Sequence, residues 1–262
     1  ANLLSVHNSS TANGNYQKLL VDPNNPLINR AISGSLYAPG SVFKLVVASA
    51  ALESGQFTAD SRINNPLKFM LPGTSTYVQN SGEGRCGGGS TVSLGDALKL
   101  SCNVPFAQVG IKLGQNTIRH QAELFGFSKN IRIPMLATPS IYPSNMDDAQ
   151  TGLSAFGQFD VRVTPLQIAM VSAAIANNGK LMKPNIIENV LSSNLASLYQ
   201  PNPEEYSNPI SAKTAASVKQ MMINAVKSGV SYNGAIPGVT VAGKTGTAQN
   251  GTGQPYTLWF TG

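Results

Sequence analysis

The chain has 262 residues and a formal net charge of +6, long enough for one domain with a proper core or for one domain carrying a sizeable insertion. Only 11% of its residues are charged, against about 25% in ordinary soluble domains; Ser, Thr, Asn and Gly fill the polar positions instead, which suits an extracytoplasmic protein. Lys and Arg are scattered, without runs or interleaved aromatics, which argues against nucleic-acid binding, and no apolar stretch reaches the ~18 residues of a membrane span.

No signal peptide precedes Ala1 and no initiating Met is present, so the chain reads as processed or trimmed. Residues 1 to 40 read as polar loop, with turn signals at Asp22-Pro23-Asn24 and Asn25-Pro26. Pro39 and Gly40 break the chain, and the run from Val42 to Leu52, rich in Ala, Leu and Val, reads as a helix stopped by Gly55. At its start, Ser41 and Lys44 stand three residues apart. On a helix that spacing shares a face, with Cβ atoms roughly 5–6 Å apart, so the amine can reach the hydroxyl. The surroundings "VFKLVV" bury the lysine, which lowers its pKa and leaves neutral amine able to act as a base. A chance serine beside a snorkelling lysine is the bland alternative; it is weakened because this is the one S-x-x-K in the chain and its lysine lies among apolar neighbours.

Cys86 sits in the loop "GEGRCGGGS" and Cys102 at a helix end; in an oxidising compartment a Cys86–Cys102 disulfide is the leading expectation. His7 and His120 are too isolated to supply a metal site. From Ser90 the apolar residues fall at helical spacing, interrupted near Cys102 to Pro105, which predicts two helices joined at a tight connection. "VTPLQIAMVSAAIANNGK" predicts another, with Thr164 as N-cap, Pro165 at its first position and Gly179 beyond its end, and a further helix is expected over Ala212 to Lys227. "GVTVAGKTGTAQ" and "YTLWFTG", separated by a Gly-rich turn, predict a closing antiparallel hairpin. The first strand carries Lys244, Thr245, Gly246 and Thr247, whose charge, hydroxyls and open backbone edge suit a carboxylate and a peptide laid alongside; a lysine that merely blocks edge aggregation is the bland reading. S-x-N occurs at Ser101/Asn103, Ser128/Asn130, Ser192/Asn194 and Ser231/Asn233. Only Ser101 and Asn103 stand at a predicted helix junction, where short polar side chains can face a cleft.

S-x-x-K, S-x-N and K-T-G in that order resemble the signature of penicillin-binding proteins and serine β-lactamases. The longer strings "NRAISGSLYAPGSVFK", "GQFDVRVTPLQIA", "AIANNGKLMKP" and "IPGVTVAGKTGTAQ" are similar to class B penicillin-binding proteins, the monofunctional D,D-transpeptidases of peptidoglycan synthesis. The "NLLSVHN" opening and the Cys86/Cys102 pair most resemble the actinobacterial penicillin-binding protein A type. The resemblance implies an α/β (α+β) fold: an antiparallel sheet flanked by helices, with sheet-side parts at about 1–55 and 206–262, and a mostly helical subdomain at about 56–205. Family members have two strands before the Ser helix and a strand plus final helix after the K-T-G hairpin. These, like the membrane anchor and N-terminal pedestal domain, find no counterpart in the sequence, so the sheet is expected to be incomplete at both ends.

The same resemblance implies a substrate, a peptidoglycan stem peptide ending in D-Ala-D-Ala, and roles for the residues. Ser41 is the nucleophile and Lys44 its base. Ser101 relays a proton to the leaving amine, Asn103 holds the substrate amide, and Lys244 with Thr245, Gly246 and Thr247 binds the terminal carboxylate end. The backbone N–H groups of Ser41 and Thr247 form the oxyanion hole. β-Lactams would acylate Ser41; no metal or organic cofactor is required; a glycosyltransferase and the division or elongation machinery are the expected partners, at the outer face of the membrane. Loops 74–90 and 248–256 would set affinity for particular β-lactams. A β-lactamase of class A uses a glutamate between S-x-N and K-T-G, and between Glu123 and Glu188 there is none, leaving only Asp147, Asp148 and Asp160 as substitutes. A D,D-carboxypeptidase with water as acceptor, and a catalytically silent β-lactam sensor or assembly scaffold, are the other readings.

Overall fold

A computed structural model describes residues 9–262; the "NLLSVHN" opening, with His7, lies outside the described residues. The first element, α1 (Ser9–Leu20), stands where polar loop was expected. Its apolar residues, Tyr16, Leu19 and Leu20, form a stripe too short to read as helical periodicity, and Tyr16 and Leu20 stay exposed. The turns expected next are formed, with Asn25 N–H donating to the Asp22 carbonyl at 2.9 Å and Asn24 N–H to its carboxylate at 2.8 Å.

The Ser41 segment is one turn of 3₁₀ helix (Gly40–Phe43) running into α2 (Lys44–Glu53), and Gly55 ends it at φ +69°. Every residue from Lys44 to Ala51 is buried, as befits a helix apolar on all sides. After it the chain forms β1 (Arg62–Asn64), β2 (Lys68–Met70), β3 (Tyr77–Gln79) and β4 (Thr91–Ser93), β1 pairing with β4 and β2 with β3, all antiparallel. Then come α3 (Leu94–Lys99), α4 (Asn103–Leu113), α5 (Gln115–Leu124), the pair β5 (Ile131–Arg132) and β6 (Leu136–Ala137), α6 (Asp148–Ser154) and α7 (Pro165–Ala176). Next are β7 (Leu181–Met182), β8 (Val190–Leu191), β9 (Ser197–Tyr199) and β10 (Glu205–Ser207), before α8 (Ala212–Ser228), β11 (Lys244–Ala248) and β12 (Thr257–Thr261). The middle of the chain is thus less helical than expected. Its strands are two or three residues long, and β8 and β9 are exposed throughout, so they carry no alternation to detect.

Where the local signals are strong, structure follows them. Thr164 Oγ1 accepts from Gln167 N–H at 3.2 Å and Pro165 opens α7. The break between the paired helices falls at Leu100–Cys102, and Pro105 sits in the first turn of α4, where its missing N–H disrupts nothing. The closing hairpin starts later than expected. Gly243 N–H donates to the Met222 carbonyl of α8 at 3.2 Å, so the residue just before the hairpin is tied to the helix, and β11 begins at Lys244. Its sheet has two strands, and among the described residues no strand precedes Ser41. None of the described helices is long and apolar enough to cross a membrane.

The hairpin docks on the Ser41 segment. Trp259 donates its indole N–H to the Ala38 carbonyl at 3.0 Å and meets Tyr37 edge-on, centroids 6.2 Å apart; Thr261 bonds Ser172 of α7. From the other side Gly157 lies on the backbone of Gly40, its carbonyl accepting the Gly40 N–H at 3.0 Å. A Cβ on Gly157, whose φ is +76°, would stand 2.0 Å from the Gly40 carbonyl oxygen, whereas Gly55 has nothing within 4 Å. Gly55→Ala is therefore expected to cost only left-handed strain, about 1–2 kcal/mol, and Gly157→Ala about 3 kcal/mol or more. Urea unfolding of the two variants measures the difference; equal losses would mean that the backbones at 40 and 157 are not in contact.

Candidate active site

Ser41 and Lys44 meet because of the 3₁₀ turn. Residues i and i+3 eclipse in that geometry, and Lys44 Nζ lies 3.0 Å from Ser41 Oγ. Lys44 is fully buried, its amine 5.6 Å from the Phe106 ring centroid. Its two shortest contacts go to pure acceptors, the Ser101 carbonyl at 2.7 Å and Asn103 Oδ1 at 2.8 Å. Burial pushes its pKa well below the usual lysine range, and the charge of Lys244 pushes the same way. A neutral amine has two N–H bonds and one lone pair. With both N–H groups directed at carbonyl oxygens, the lone pair is left for the hydroxyl proton of Ser41.

Ser101 owes its position to the end of α3. Cys102 N–H donates to the Ala97 carbonyl at 2.8 Å and Ser101 N–H to the Leu98 carbonyl at 3.1 Å, the paired bonds of a Schellman ending. Ser101 fills the left-handed position usually given to glycine, at φ +59°. In that conformation its carbonyl faces Lys44, and its Oγ lies 3.4 Å from Lys44 Nζ and 2.8 Å from Lys244 Nζ. Lys244 is also buried and donates to the Thr245 carbonyl at 2.8 Å; desolvation lowers its pKa to about 7. Asn103 opens α4, its Nδ2 donating to the Gln79 carbonyl at 3.2 Å.

β11 presents its free edge to this cluster. Thr245 N–H points away from β12, donating to Ser231 Oγ at 3.1 Å, and alternate residues of a strand direct their N–H groups to the same side. The N–H and carbonyl of Thr247 therefore face away from β12 too. Gly246 packs on the Ser41 turn, where a Cβ would come within 3.0 Å of the Pro39 carbonyl. Ser41, Ser101, Asn103, Thr245, Gly246 and Thr247 share the wall of one cleft of ≈ 880 Å³, with Tyr77, Gln79, Phe159, Gln249 and Tyr256 about them. No Asp or Glu lines it among the described residues. Asp147 instead caps α6 and Asp160 lies 3.7 Å from Arg162. A second cavity of ≈ 610 Å³, bordered by Glu53, His120 and Lys180 at the far end of α2, holds none of these groups.

All the site residues singled out by sequence thus converge, and Cys86 and Cys102 are joined by a disulfide beside them. Of the other S-x-N pairs, Ser128/Asn130 and Ser192/Asn194 lie outside the cleft wall, but Ser231 is fully buried against β11. Sequence position did not mark it out. Asn80 was missed as well: its Oδ1 accepts the N–H groups of Asn103 and Val104 at 2.9 and 3.0 Å. In the sequence it is one more polar residue ahead of a glycine-rich loop.

The whole chain, residues 1–262, matches the family model of the penicillin binding protein transpeptidase domain. It is 37% identical over 99% of its length to the peptidoglycan D,D-transpeptidase PbpA of Mycolicibacterium smegmatis, of which the match covers 53%, and 28% identical over 89% of its length to penicillin-binding protein 3 of Bacillus subtilis, covering 34% of that protein. The chain therefore spans about half or less of these relatives. Its structure superposes on penicillin-binding protein A from M. tuberculosis in a ceftriaxone acyl-enzyme complex with a TM-score of 0.92, at 36% identity, covering 98% of this chain and 58% of that one. It also superposes on the D,D-transpeptidase domain of a peptidoglycan glycosyltransferase from Eggerthella lenta, with a TM-score of 0.86 at 30% identity, over 95% of this chain and 62% of that one. With its cluster of lysines and hydroxyls built on this fold, the chain belongs to the penicillin-binding protein transpeptidase family.

Proposed function

We propose that this chain is the acyl-transfer domain of a peptidoglycan D,D-transpeptidase. The observation that carries the reading is the buried Lys44 amine, 3.0 Å from Ser41 Oγ and closer still to the Ser101 carbonyl and Asn103 Oδ1; in its neutral form those two oxygens take its N–H groups and leave the lone pair for Ser41. Ser41 Oγ attacks the penultimate carbonyl of a stem peptide ending in D-Ala-D-Ala and its proton passes to Lys44. The C–N bond to the terminal D-Ala then breaks, and the leaving amine takes a proton through Ser101, whose hydroxyl touches both lysines. The peptide lies along the free edge of β11. The N–H groups of Ser41 and Thr247 hold the oxyanion, each donor contributing ~10²–10³ in rate, while Lys244, Thr245 and Thr247 take the terminal carboxylate and Asn103 the substrate amide.

The amine of a neighbouring stem peptide resolves the acyl-enzyme into a cross-link. A β-lactam leaves its remaining ring on Ser41, and among the described residues the cleft wall offers no carboxylate to activate water against it, which favours a transferase over a class A type of β-lactamase. The likeness to acyl-enzyme structures of penicillin-binding protein A supports β-lactam acylation. Such chemistry belongs at the extracytoplasmic face of a bacterial membrane, and the peptidoglycan glycosyltransferase name of the Eggerthella protein supports a glycosyltransferase among the partners, together with division or elongation machinery.

Incubation with benzylpenicillin followed by intact-protein mass spectrometry is expected to show one stable adduct that disappears in Ser41→Ala; a folded protein without an adduct refutes the reading. The pH profile tests the lysine pair. Acylation requires neutral Lys44, so its rate rises with pH through the lowered Lys44 pKa. In Lys244→Met the repulsion from the second ammonium is gone, the charged form of Lys44 is favoured, and the ascending limb moves to higher pH. Loss of the charged contact to the β-lactam carboxylate lowers the rate itself about 10–100-fold. A limb that stays in place would show that Lys244 does not act on Lys44.

A further inference from the structure

We propose that Asn80, at the end of β3, is a positioning residue that fixes Asn103, and through it the Lys44 amine, by serving as the cap of α4 from outside the helix. The proposal rests on the transferase reading of the Lys44 site. The N-cap position of α4 is Cys102, whose side chain makes no capping bond because its sulfur is committed to Cys86. A helix start leaves its first N–H groups without intrahelical partners, and a buried start needs an acceptor for them. Asn80 supplies it: its single Oδ1 takes both the Asn103 and Val104 N–H groups. The adjacent Gln79 carbonyl takes the Asn103 side-chain N–H at 3.2 Å, which turns Asn103 Oδ1 toward Lys44 Nζ, 2.8 Å away. Two consecutive residues of one strand end thus hold Asn103 by its backbone and by its side chain.

Asn80 is itself anchored. Its Nδ2 donates to the Gly84 carbonyl at 3.2 Å and lies 3.4 Å from Asn65 Oδ1. Asn65, fully buried, donates to the Cys86 and Gly89 carbonyls at 2.7 and 2.8 Å and accepts the Cys86 N–H at 3.3 Å. Both arms of the disulfide therefore end on this pair of asparagines: Cys86 through Asn65, and Cys102 through the helix start that Asn80 caps.

The test separates positioning from mere support of the fold. The groups that face the Lys44 amine are Ser41 from its own turn, Ser101 from the end of α3, Asn103 and the Phe106 ring from α4, and Lys244 from β11, the one titratable group among them. The Lys44 side-chain carbon resonances, assigned by their loss in Lys44→Arg, are followed by NMR against pH in the wild type, Asn80→Ala and Asn80→Asp, alongside benzylpenicillin acylation rates and circular dichroism. In Asn80→Ala, Asn103 no longer holds its oxygen on Lys44; the ammonium loses an acceptor, the Lys44 midpoint falls, and the plateau acylation rate drops about tenfold or more. Asn80→Asp keeps an acceptor for both N–H groups and adds a negative charge, so the midpoint rises instead; it gives up the contacts of Nδ2 with Gly84 and Asn65, and its plateau rate falls between those of Asn80→Ala and the wild type.

A folded Asn80→Ala with an unmoved midpoint and a plateau within about twofold of the wild type overturns the proposal. If Asn80→Ala does not fold, an unmoved midpoint in Asn80→Asp overturns it. A wild type that forms no adduct refutes the transferase reading, while the Lys44 titration still decides the role of Asn80.

Discussion

The arrangement depends on burying an amine without a carboxylate. Moving a lysine into the interior penalises its ammonium form heavily, and proteins usually offset this with an Asp or Glu alongside. Here the partners are a hydroxyl, a peptide carbonyl and a side-chain amide, all of which tolerate a neutral amine, and the nearest charge belongs to another lysine. A carboxylate in the same place would satisfy Lys44 as an ion pair, raise its pKa and keep it protonated, unable to take the Ser41 proton. The scarcity of charged residues along the chain thus has a local counterpart in the cleft.

Regular elements supply rigidity, and irregular backbone supplies aim. α2 is buried from Lys44 to Ala51, but Ser41 stands on the 3₁₀ turn before it, at a spot where Gly40 and Gly157 touch backbone to backbone. Ser101 stands on a helix ending and Thr247 on an unpaired strand edge. None of the three would face the others from the interior of a helix or a paired strand. Each is held by elements distant in the chain, and the cleft is the place where their ends meet.

How much of this was legible in the sequence follows from the range of the interactions. Ser41 and Lys44 could be read because three residues of helix bring them together. α7 could be read because Thr164, Pro165 and Gly179 mark both of its ends. Ser101 and Asn103 needed one more step, their place at a helix junction, since three other S-x-N pairs compete. Asn80 caps a helix that begins 23 residues later, and Ser231 bonds a strand edge 14 residues away; no local pattern encodes either bond. The short strands of the middle region escaped for a different reason: with two or three residues and little burial they have no period. The start of β11 was misplaced because "GVTVAG" has strand composition, yet its last glycine bonds α8. Competition from a tertiary hydrogen bond overrode a correct local preference.

The ending of α3 has a consequence for how such a site persists. Ser101 occupies a left-handed position that glycine adopts freely and serine only at a cost of about 1 kcal/mol. Backbone preference alone would put glycine here, but glycine would leave the buried Lys244 amine without the oxygen that receives it 2.8 Å away. Serine thus carries a backbone strain that glycine would not, and that strain is the physical trace of placing a hydroxyl between two lysines.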